Sequence, residues 1–266
     1  MTIYMTTERR FIITILAGGE GKRMHSDGSE RKPKVLYPFL GEPMILRILK
    51  VAIQLLPNKI FIIVGKYRDQ IERVIGSYIS DTSIIEYIDQ PEPKGTGDAI
   101  KCSLPYYKTD DRILILNGDM PCITHDLLKN LLVSTSKKLC TIVGAKVENP
   151  FGYGRIEYNA QDEFRRIIEE RDCTMEQKKI DLINAGIYLV TGSILASCIP
   201  SITNENSQRE YYFTDLFLLH KKYSTIPIFI YEISRKDSWM IQGVNTIEEL
   251  EIAEKTANHH DLHIKS

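Results

Sequence analysis

Four short runs of apolar, mostly β-branched residues dominate the first half of the chain. They lie at residues 11–15, 60–64, 84–88 and 113–116. A continuous apolar run of this length is typical of a strand that is buried on both faces, as in a parallel sheet. Helical patterns accompany these runs, at residues 43–56, 69–79, 96–103 and 126–132. The alternation predicts an α/β fold, in which a mostly parallel sheet lies between helices and the crossovers are right-handed.

The pattern changes after about residue 138. Four apolar runs then follow in close succession, at residues 141–147, 155–158, 164–168 and 183–190. Their close spacing predicts antiparallel strands that are added to the central sheet. Helical patterns at residues 192–198, 214–222 and 246–257, with a strand at 226–232, complete the chain. No linker rich in proline or serine divides the sequence, so we expect a single domain over residues 1–258 and a flexible tail over 259–266.

The composition restricts the class of protein. Hydrophobic residues make up 43% of the chain and charged residues 26%, the ordinary balance of a globular protein. The 34 basic and 35 acidic residues lack the basic excess of a nucleic-acid-binding protein. No apolar stretch approaches the roughly 20 residues of a membrane span, and the five cysteines have no metal-site spacing. We therefore expect a cytoplasmic protein that binds neither nucleic acid nor membranes.

A glycine-rich turn follows the first predicted strand, in the sequence LAGGEGKRM at residues 16–24. Backbone N–H groups in such a turn approach phosphates closely. The turn is not a Walker loop, because Arg23 follows Gly21-Lys22 where serine or threonine is required. It is not a dinucleotide fingerprint either, because Met24 occupies the position of the third glycine. Arg23 and Lys34 would provide cations for a polyphosphate, but the same residues also fit a tight turn with solvated basic side chains.

Eight segments together resemble the sugar-phosphate nucleotidyltransferases. In chain order they are LAGGEGKRM with PKVL (16–36), QPEPKGTGDA (90–99), LNGDMP (116–121), NPFGYGRI (149–156), IEERD (168–172), INAGIY (183–188), EYYFTD (210–215) and GVN (243–245). Within that family the set is most similar to the N-terminal uridylyltransferase (pyrophosphorylase) domain of the bacterial bifunctional N-acetylglucosamine-1-phosphate uridyltransferase. The resemblance implies a Rossmann-like nucleotidyltransferase fold. It also implies a nucleotide-binding part over about residues 1–137 and a sugar-binding part over about 138–258.

The resemblance also implies a reaction and its cofactor. An oxygen of N-acetylglucosamine 1-phosphate attacks the α-phosphorus of UTP in line, and pyrophosphate leaves, in the presence of Mg²⁺. Phosphoryl chemistry needs little covalent help, so positioned charge is the main catalytic resource. The partners that the resemblance implies are UTP and the sugar 1-phosphate, whereas the oligomeric state stays open.

The same resemblance assigns the site residues in four groups. The catalytic cations are Arg23 and Lys34. The nucleotide-binding residues are Leu16, Ala17, Gly18, Gly19, Gln90, Gly95, Thr96, Asn117 and Gly118. The sugar-binding residues are Gly154, Glu169 and Asn184. The Mg²⁺ ligands are Asp119 and Asn245, whose oxygens suit a hard cation.

This sequence departs from the family pattern in three ways. Gly18 stands where the motif usually has alanine, which would loosen the turn. About four extra residues lie within residues 26–32 and would change access to the phosphates. The hexapeptide-repeat β-helix of the acetyltransferase half is not recognisable, so we expect no acetyltransferase activity.

Other interpretations of single residues stay open at this level. Asp119 also fits a helix cap, and Asn245 fits the cap of the last helix, with Glu248 three residues later. The pair Tyr211-Tyr212 is more typical of packing than of a site, and the C-terminal histidines are typical of a solvated tail.

Two alternative functions also stay open. One is transfer to another sugar 1-phosphate or from another nucleotide, such as glucose 1-phosphate or dTTP. The other is a non-catalytic homologue that binds a nucleotide sugar and regulates a partner. A glycosyltransferase is less well supported, because Asn117 occupies the first position of the required Asp-x-Asp pair.

Overall fold

The computed structural model describes residues 9–19, 21–24 and 32–260 of the chain. The strands in these ranges are β1 (Phe11–Leu16), β2 (Pro38–Phe39), β3 (Glu42–Pro43), β4 (Lys59–Val64), β5 (Ile85–Asp89), β6 (Arg112–Asn117), β7 (Cys140–Lys146), β8 (Arg155–Tyr158), β9 (Phe164–Ile168), β10 (Leu182–Thr191) and β11 (Phe229–Ile233). The α-helices are α1 (Met44–Gln54), α2 (Arg68–Tyr78), α3 (Thr96–Ser103), α4 (His125–Ser134), α5 (Gly192–Cys198), α6 (Asp215–Tyr223) and α7 (Ile247–His259).

A single large sheet organises the fold, with the strand order β11-β7-β10-β6-β1-β4-β5. Strands β6, β1, β4 and β5 pair in parallel, whereas β10 runs antiparallel to both β6 and β7. The carboxyl ends of the parallel strands and the amino end of β10 therefore lie at one edge of the sheet. The predicted α/β fold with a mostly parallel sheet is confirmed.

The four strands predicted as antiparallel additions pair in antiparallel fashion, whereas the direction of the last strand was not predicted. Strands β8 and β9 form an antiparallel hairpin, and β8 pairs with β10 at Ile183 and Arg155. Strand β11, in contrast, pairs with β7 in parallel, and it begins at Phe229 rather than at residue 226. A second, two-stranded antiparallel sheet consists of β2 and β3.

The core lies on both faces of the large sheet. Ile13 and Ile15 of β1 pack with α1, α2 and α4, while Ile12 packs with α3, α5 and α6. Burial on both faces explains why the strand sequences are continuously apolar instead of alternating. A third cluster joins α7 to the start of α1, through residues that include Phe39, Met44 and Ala253.

The C-terminal end differs from the predicted flexible tail. His259 is the last residue of α7, and the imidazole of His260 stacks on the indole of Trp239 with ring centroids 4.3 Å apart. Residues 261–266, with His263, lie outside the described residues, and so does the predicted insertion apart from Lys32. None of the described helices is long and apolar enough to cross a membrane.

Candidate active site

A first cavity of about 280 Å³ opens where β1 and β6 end. Its lining includes the predicted residues Leu16, Ala17, Gly18, Gly19, Lys34, Gln90, Gly95, Thr96, Asn117 and Asp119. They come from stretches of the chain that follow β1, β5 and β6, together with the turn that contains Lys34. Because parallel strands end at one edge of a sheet, the loops after them form one crevice there, the usual ligand position in such folds.

Gly95 and Thr96 are held in place by a segment that lies more than a hundred residues away in the sequence. The backbone N–H of Gly97 donates to the carbonyl of Tyr211 at 2.7 Å, and the N–H of Phe213 donates to Oγ1 of Thr96 at 3.0 Å. Gly95 has a φ of +114°, and a Cβ there would lie 2.5 Å from the carbonyl oxygen of Tyr211. Only glycine fits this close approach.

Gln90 presents an oriented amide to the first cavity. Its Nε2 donates to the carbonyl of Gly95 at 3.1 Å and to the carboxylate of Asp98 at 2.9 Å. Since both partners are acceptors, they require the NH₂ side of the amide, and Oε1 lies on the other side, towards Gly18. A Cβ at Gly18 would lie 3.0 Å from this Oε1. Gly18, the glycine that departs from the family motif, avoids this tight contact with Gln90.

Lys34 connects the two predicted metal ligands. Its Nζ forms an ion pair with the carboxylate of Asp119 and donates to Oδ1 of Asn245 at 2.8 Å. The N–H of Val244 also donates to the carbonyl of Asp119 at 2.9 Å, which holds the two segments side by side. One carboxylate oxygen, from Asp119, and one amide oxygen, from Asn245, thus both contact the ammonium group of Lys34.

These two oxygens fit a Mg²⁺ ion. Mg²⁺ prefers oxygen ligands and is usually held by one or two carboxylates with waters and substrate phosphates. Among the described residues, no group of three histidine, cysteine or acidic side chains forms a complete protein cage. Asp119 and Asn245, if they held the ion, would leave positions for waters and substrate phosphates.

Asn245 does not cap the last helix. Thr246 is the N-cap, and its Oγ1 accepts from the N–H of Glu249 at 3.2 Å, while the N–H of Asn245 donates to Oε2 of Glu249 at 2.7 Å. The interpretation of Asn245 as the cap, with Glu248 three residues later, is wrong: the cap and its partner each lie one residue further along the chain, at Thr246 and Glu249. The side chain of Asn245 is consequently available to the site.

A second cavity of about 280 Å³ adjoins the first. The two cavities share Leu16, Thr96, Asn117, Asp119 and Glu210 in their linings. The second cavity also contains the three predicted sugar-binding residues, Gly154, Glu169 and Asn184, and the predicted metal ligand Asn245.

Glu169 is a half-buried carboxylate on the wall of the second cavity. Its Oε1 accepts a hydrogen bond from Oγ1 of Thr214 at 2.8 Å. Burial raises the pKa of its carboxyl above the usual range, and the neighbouring charges of Asp215 and Asp172 raise it further. The position of Glu169 suits a hydrogen-bond acceptor for a polar ligand in a space of restricted solvation.

Asn184 and Gly154 lie next to each other in the same wall. The N–H of Asn184 donates to the carbonyl of Gly154 at 2.8 Å. The side-chain Nδ2 of Asn184 donates to Oη of Tyr188 at 2.6 Å, and its Oδ1 accepts from the N–H of Gly186 at 3.3 Å. The β10–β7 register shifts between Asn184 and Tyr188, and Gly186 has a φ of +70°. Asn184 and Tyr188, on either side of this irregularity, both line the cavity.

A buried ion pair supports the turn that carries Gly154. Arg155 is 1% exposed, and its guanidinium donates to Oε2 of Glu170 at 2.7 Å and to the carbonyl of Tyr153. The same Oε2 accepts from the N–H of Gly152 at 3.2 Å. Glu170 follows Glu169 directly in the chain. The Arg155–Glu170 ion pair therefore links the segment of Gly154 to the segment of Glu169.

Two predicted residues lie outside both cavities. Arg23 is exposed in the 3₁₀ turn Lys22–Met24, and residues 25–31 after it are not described. Gly118 donates its N–H to the carbonyl of Leu16 at 2.9 Å, and a Cβ there would lie 2.9 Å from the same oxygen. Gly118 therefore permits the close packing of β1 against the loop after β6. The functional roles of all these residues stay predictions.

The cavities also contain residues that the sequence analysis did not place in the site. They are Tyr188, Glu210, Tyr212 and Thr214, among others. Tyr188 has the signal of a buried strand residue, and Tyr212 has that of a packing aromatic. The family resemblance includes their segments, INAGIY and EYYFTD, so the sequence indicated that these segments belong to the site. It did not indicate which of their side chains face the cavity.

Comparisons with known proteins show the family of the chain. The family model described as "Nucleotidyl transferase" matches residues 13–238. A protein of Acanthamoeba polyphaga mimivirus, described as a probable UDP-N-acetylglucosamine pyrophosphorylase, is 43% identical over 253 residues, which cover 93% of this chain and 96% of that protein. The bifunctional protein GlmU of Prochlorococcus marinus is 37% identical over 244 residues, which cover 90% of this chain and 50% of GlmU. The chain thus spans about half the length of GlmU.

The fold also matches solved structures. A protein of Bacillus anthracis, assigned as a glucose-1-phosphate thymidylyltransferase, superimposes with a TM-score of 0.70 over 93% of this chain and 95% of that one. The identity is 20%, so this similarity concerns the fold alone.

Proposed function

Since the chain belongs to the nucleotidyl transferase family, we propose that it makes UDP-N-acetylglucosamine and pyrophosphate from UTP and N-acetylglucosamine 1-phosphate. The observation that carries the proposal is that two adjoining cavities meet at Asp119, which Lys34 contacts. One cavity has the size and lining for a nucleoside and the other for a sugar. The phosphates that the two substrates exchange would then lie at the junction.

The first cavity supports a preference for uracil over cytosine. Nε2 of Gln90 donates to Gly95 and Asp98, and these bonds fix the orientation of the amide. The group that remains for a base is therefore the acceptor Oε1. The N3 position of uracil carries a hydrogen, whereas N3 of cytosine is an acceptor, so only the first pairs with Oε1. Thymine presents the same edge as uracil. The base edge alone therefore does not exclude dTTP.

The junction supports transfer by direct displacement. A phosphate oxygen of the sugar attacks the α-phosphorus of UTP, the bond to the β-phosphate oxygen breaks, and pyrophosphate leaves with the electron pair. Lys34 supplies a positive charge next to Asp119, where the negative charge of the transferring phosphate accumulates. A Mg²⁺ bound by Asp119 and Asn245 would add charge that is shared with the substrate phosphates. Arg23 would contribute only if its exposed side chain turns towards the phosphates.

A non-catalytic nucleotide-sugar-binding homologue is the alternative from a different class. Such a protein has no need for an ammonium and a carboxylate at the junction of its cavities. Both Lys34 and Asp119 are present and in contact, which favours the enzyme. The expected absence of acetyltransferase activity stays a prediction.

The test is pyrophosphate release in the presence of Mg²⁺ with a small grid of substrates. UTP or dTTP is combined with N-acetylglucosamine 1-phosphate or glucose 1-phosphate. We expect rapid release with UTP and N-acetylglucosamine 1-phosphate and much slower release with the other pairs. Faster release with a different pair would support the nucleotidyl transfer reaction but would show that the proposed sugar or base is wrong. No release with any pair, from folded protein that binds UTP, would favour the non-catalytic alternative.

A further inference from the structure

Tyr188 is a buried tyrosine whose side chain lines the second cavity. The residue is 5% exposed. Its ring packs against Phe213 and Phe217, with centroid distances of 4.9 and 5.3 Å. These aromatic contacts hold the phenol in one place, and its hydroxyl lies beside Asn184, another residue of the same cavity lining.

The hydrogen bonds of Asn184 determine the role of this hydroxyl. The N–H of Gly186 donates to one end of the Asn184 amide, which must therefore be the oxygen, Oδ1. The other end is then the NH₂ group, and it donates to Oη of Tyr188 at 2.6 Å. Oη is thus the acceptor in this bond, and its own hydrogen remains to be donated. Among the described residues, no acceptor for that hydrogen is recorded.

The hydroxyl also keeps its hydrogen at neutral pH. Burial raises the pKa of Tyr188 above its usual range, and the charge of Glu169 raises it further. A buried hydroxyl with an unused hydrogen at a cavity wall is costly unless a ligand or water accepts it.

An N-acetylated sugar contains one group that meets this need. Each sugar hydroxyl both donates and accepts, so a carboxylate such as Glu169 satisfies it. The carbonyl oxygen of an acetamido group only accepts, so it requires a donor from the protein. A tyrosine hydroxyl with a free hydrogen is such a donor.

We propose that Tyr188 is a specificity-determining residue that donates a hydrogen bond to the acetamido carbonyl oxygen of N-acetylglucosamine 1-phosphate. The inference rests on the proposed function and goes beyond it, because it assigns the choice between an acetamido sugar and a plain sugar to a single hydroxyl. Asn184 then has a second role, which is to hold that hydroxyl in its donating state.

The decisive variant is Tyr188→Phe, which removes only the hydroxyl and keeps the ring packing. A lost hydrogen bond of ordinary strength predicts a rise in KM for N-acetylglucosamine 1-phosphate of about 5- to 10-fold. The KM for UTP and the KM for glucose 1-phosphate should stay unchanged. The preference for the acetamido sugar should therefore fall by the same factor.

Tyr107→Phe is the matched control. Tyr107 is half-buried, and its Oη forms a 2.6 Å hydrogen bond with Oγ1 of the buried Thr14, outside both cavity linings. We expect a comparable change in melting temperature for the two variants but a change in sugar KM for Tyr188→Phe alone. Activity with glucosamine 1-phosphate adds a substrate-side test, because this sugar lacks the carbonyl and should not distinguish wild type from Tyr188→Phe.

The outcomes separate this inference from the proposed function. If wild type uses N-acetylglucosamine 1-phosphate and Tyr188→Phe shows the same KM, the inference is wrong and the function stands. An equal rise in KM for all three sugars also overturns the inference, since it would indicate a general effect through Asn184. If wild type does not use N-acetylglucosamine 1-phosphate, both fall.

Discussion

Replacement of Glu170 by glutamine is expected to destabilise the protein by about 3 kcal/mol, because it removes the charge that pairs with a buried guanidinium. Arg155 is 1% exposed and its Nε has no hydrogen-bond partner among the described residues. Its main charge partner is Oε2 of Glu170, at 2.7 Å. The glutamine keeps the shape of the side chain and an acceptor for Gly152, so the variant isolates the charge.

The magnitude follows from the burial of the two partners. Removal of one member of a buried pair costs about 3–5 kcal/mol, since the other charge is left without compensation. The lower end applies here because Glu170 is 16% exposed, so water solvates its side of the pair in part. At about 2–4 °C per kcal/mol for a chain of this size, the melting temperature should fall by about 6–12 °C.

The assay is thermal unfolding followed by circular dichroism, with Glu176→Gln as the control. Glu176 pairs with Lys179 at 2.9 Å, but the two side chains are 82% and 71% exposed. This control should change stability by less than about 0.5 kcal/mol. The double variant Arg155→Met with Glu170→Gln should be about 2 kcal/mol more stable than the sum of the single changes predicts. A fall for Glu170→Gln no larger than that of the control would refute the reasoning.

Three further predictions concern the site itself. Asp119→Asn should reduce pyrophosphate release by at least about 100-fold while UTP binding, measured by calorimetry, remains; unchanged turnover would contradict the metal role. Gly95→Ala should raise the KM for UTP by about 10-fold or more, because its Cβ would collide with the carbonyl of Tyr211, whereas Gly76→Ala, at an open position, should leave that KM unchanged. Burial raises the pKa of Asp215 to about 6, so its ionisation costs stability above that pH and the cost disappears as the pH falls towards 4. Asp215→Asn should therefore melt at a higher temperature than wild type at pH 8 and at the same temperature at pH 4; an equal difference at both values would sink this explanation.

Several features of the site were predictable because they follow from local rules. The loops after β1, β5 and β6 contain glycine and polar residues, and parallel strands always bring such loops to one edge. The segment of Gly95 and Thr96 was predictable in the same way, since α3 begins at Thr96 as the helical pattern indicates. The correct identification of the cap of α7 was not possible, because Asn245 and Thr246 both suit an N-cap. They are separated only by the hydrogen bond from Glu249 to Thr246 and by that from Lys34 to Asn245.

The sequence by itself determined the α/β fold and the segments that would meet at the site, because apolar periodicity and turn composition act over a few residues. The tertiary structure alone decided which side chains meet at the candidate site. Lys34 reaches Asp119 and Asn245 across 85 and 211 positions of the chain, while Arg23 lies exposed. Tyr188 lines the second cavity next to the point where the register of β10 shifts. Such contacts depend on how distant segments pack and on a local break in strand regularity, and neither is contained in a periodic pattern.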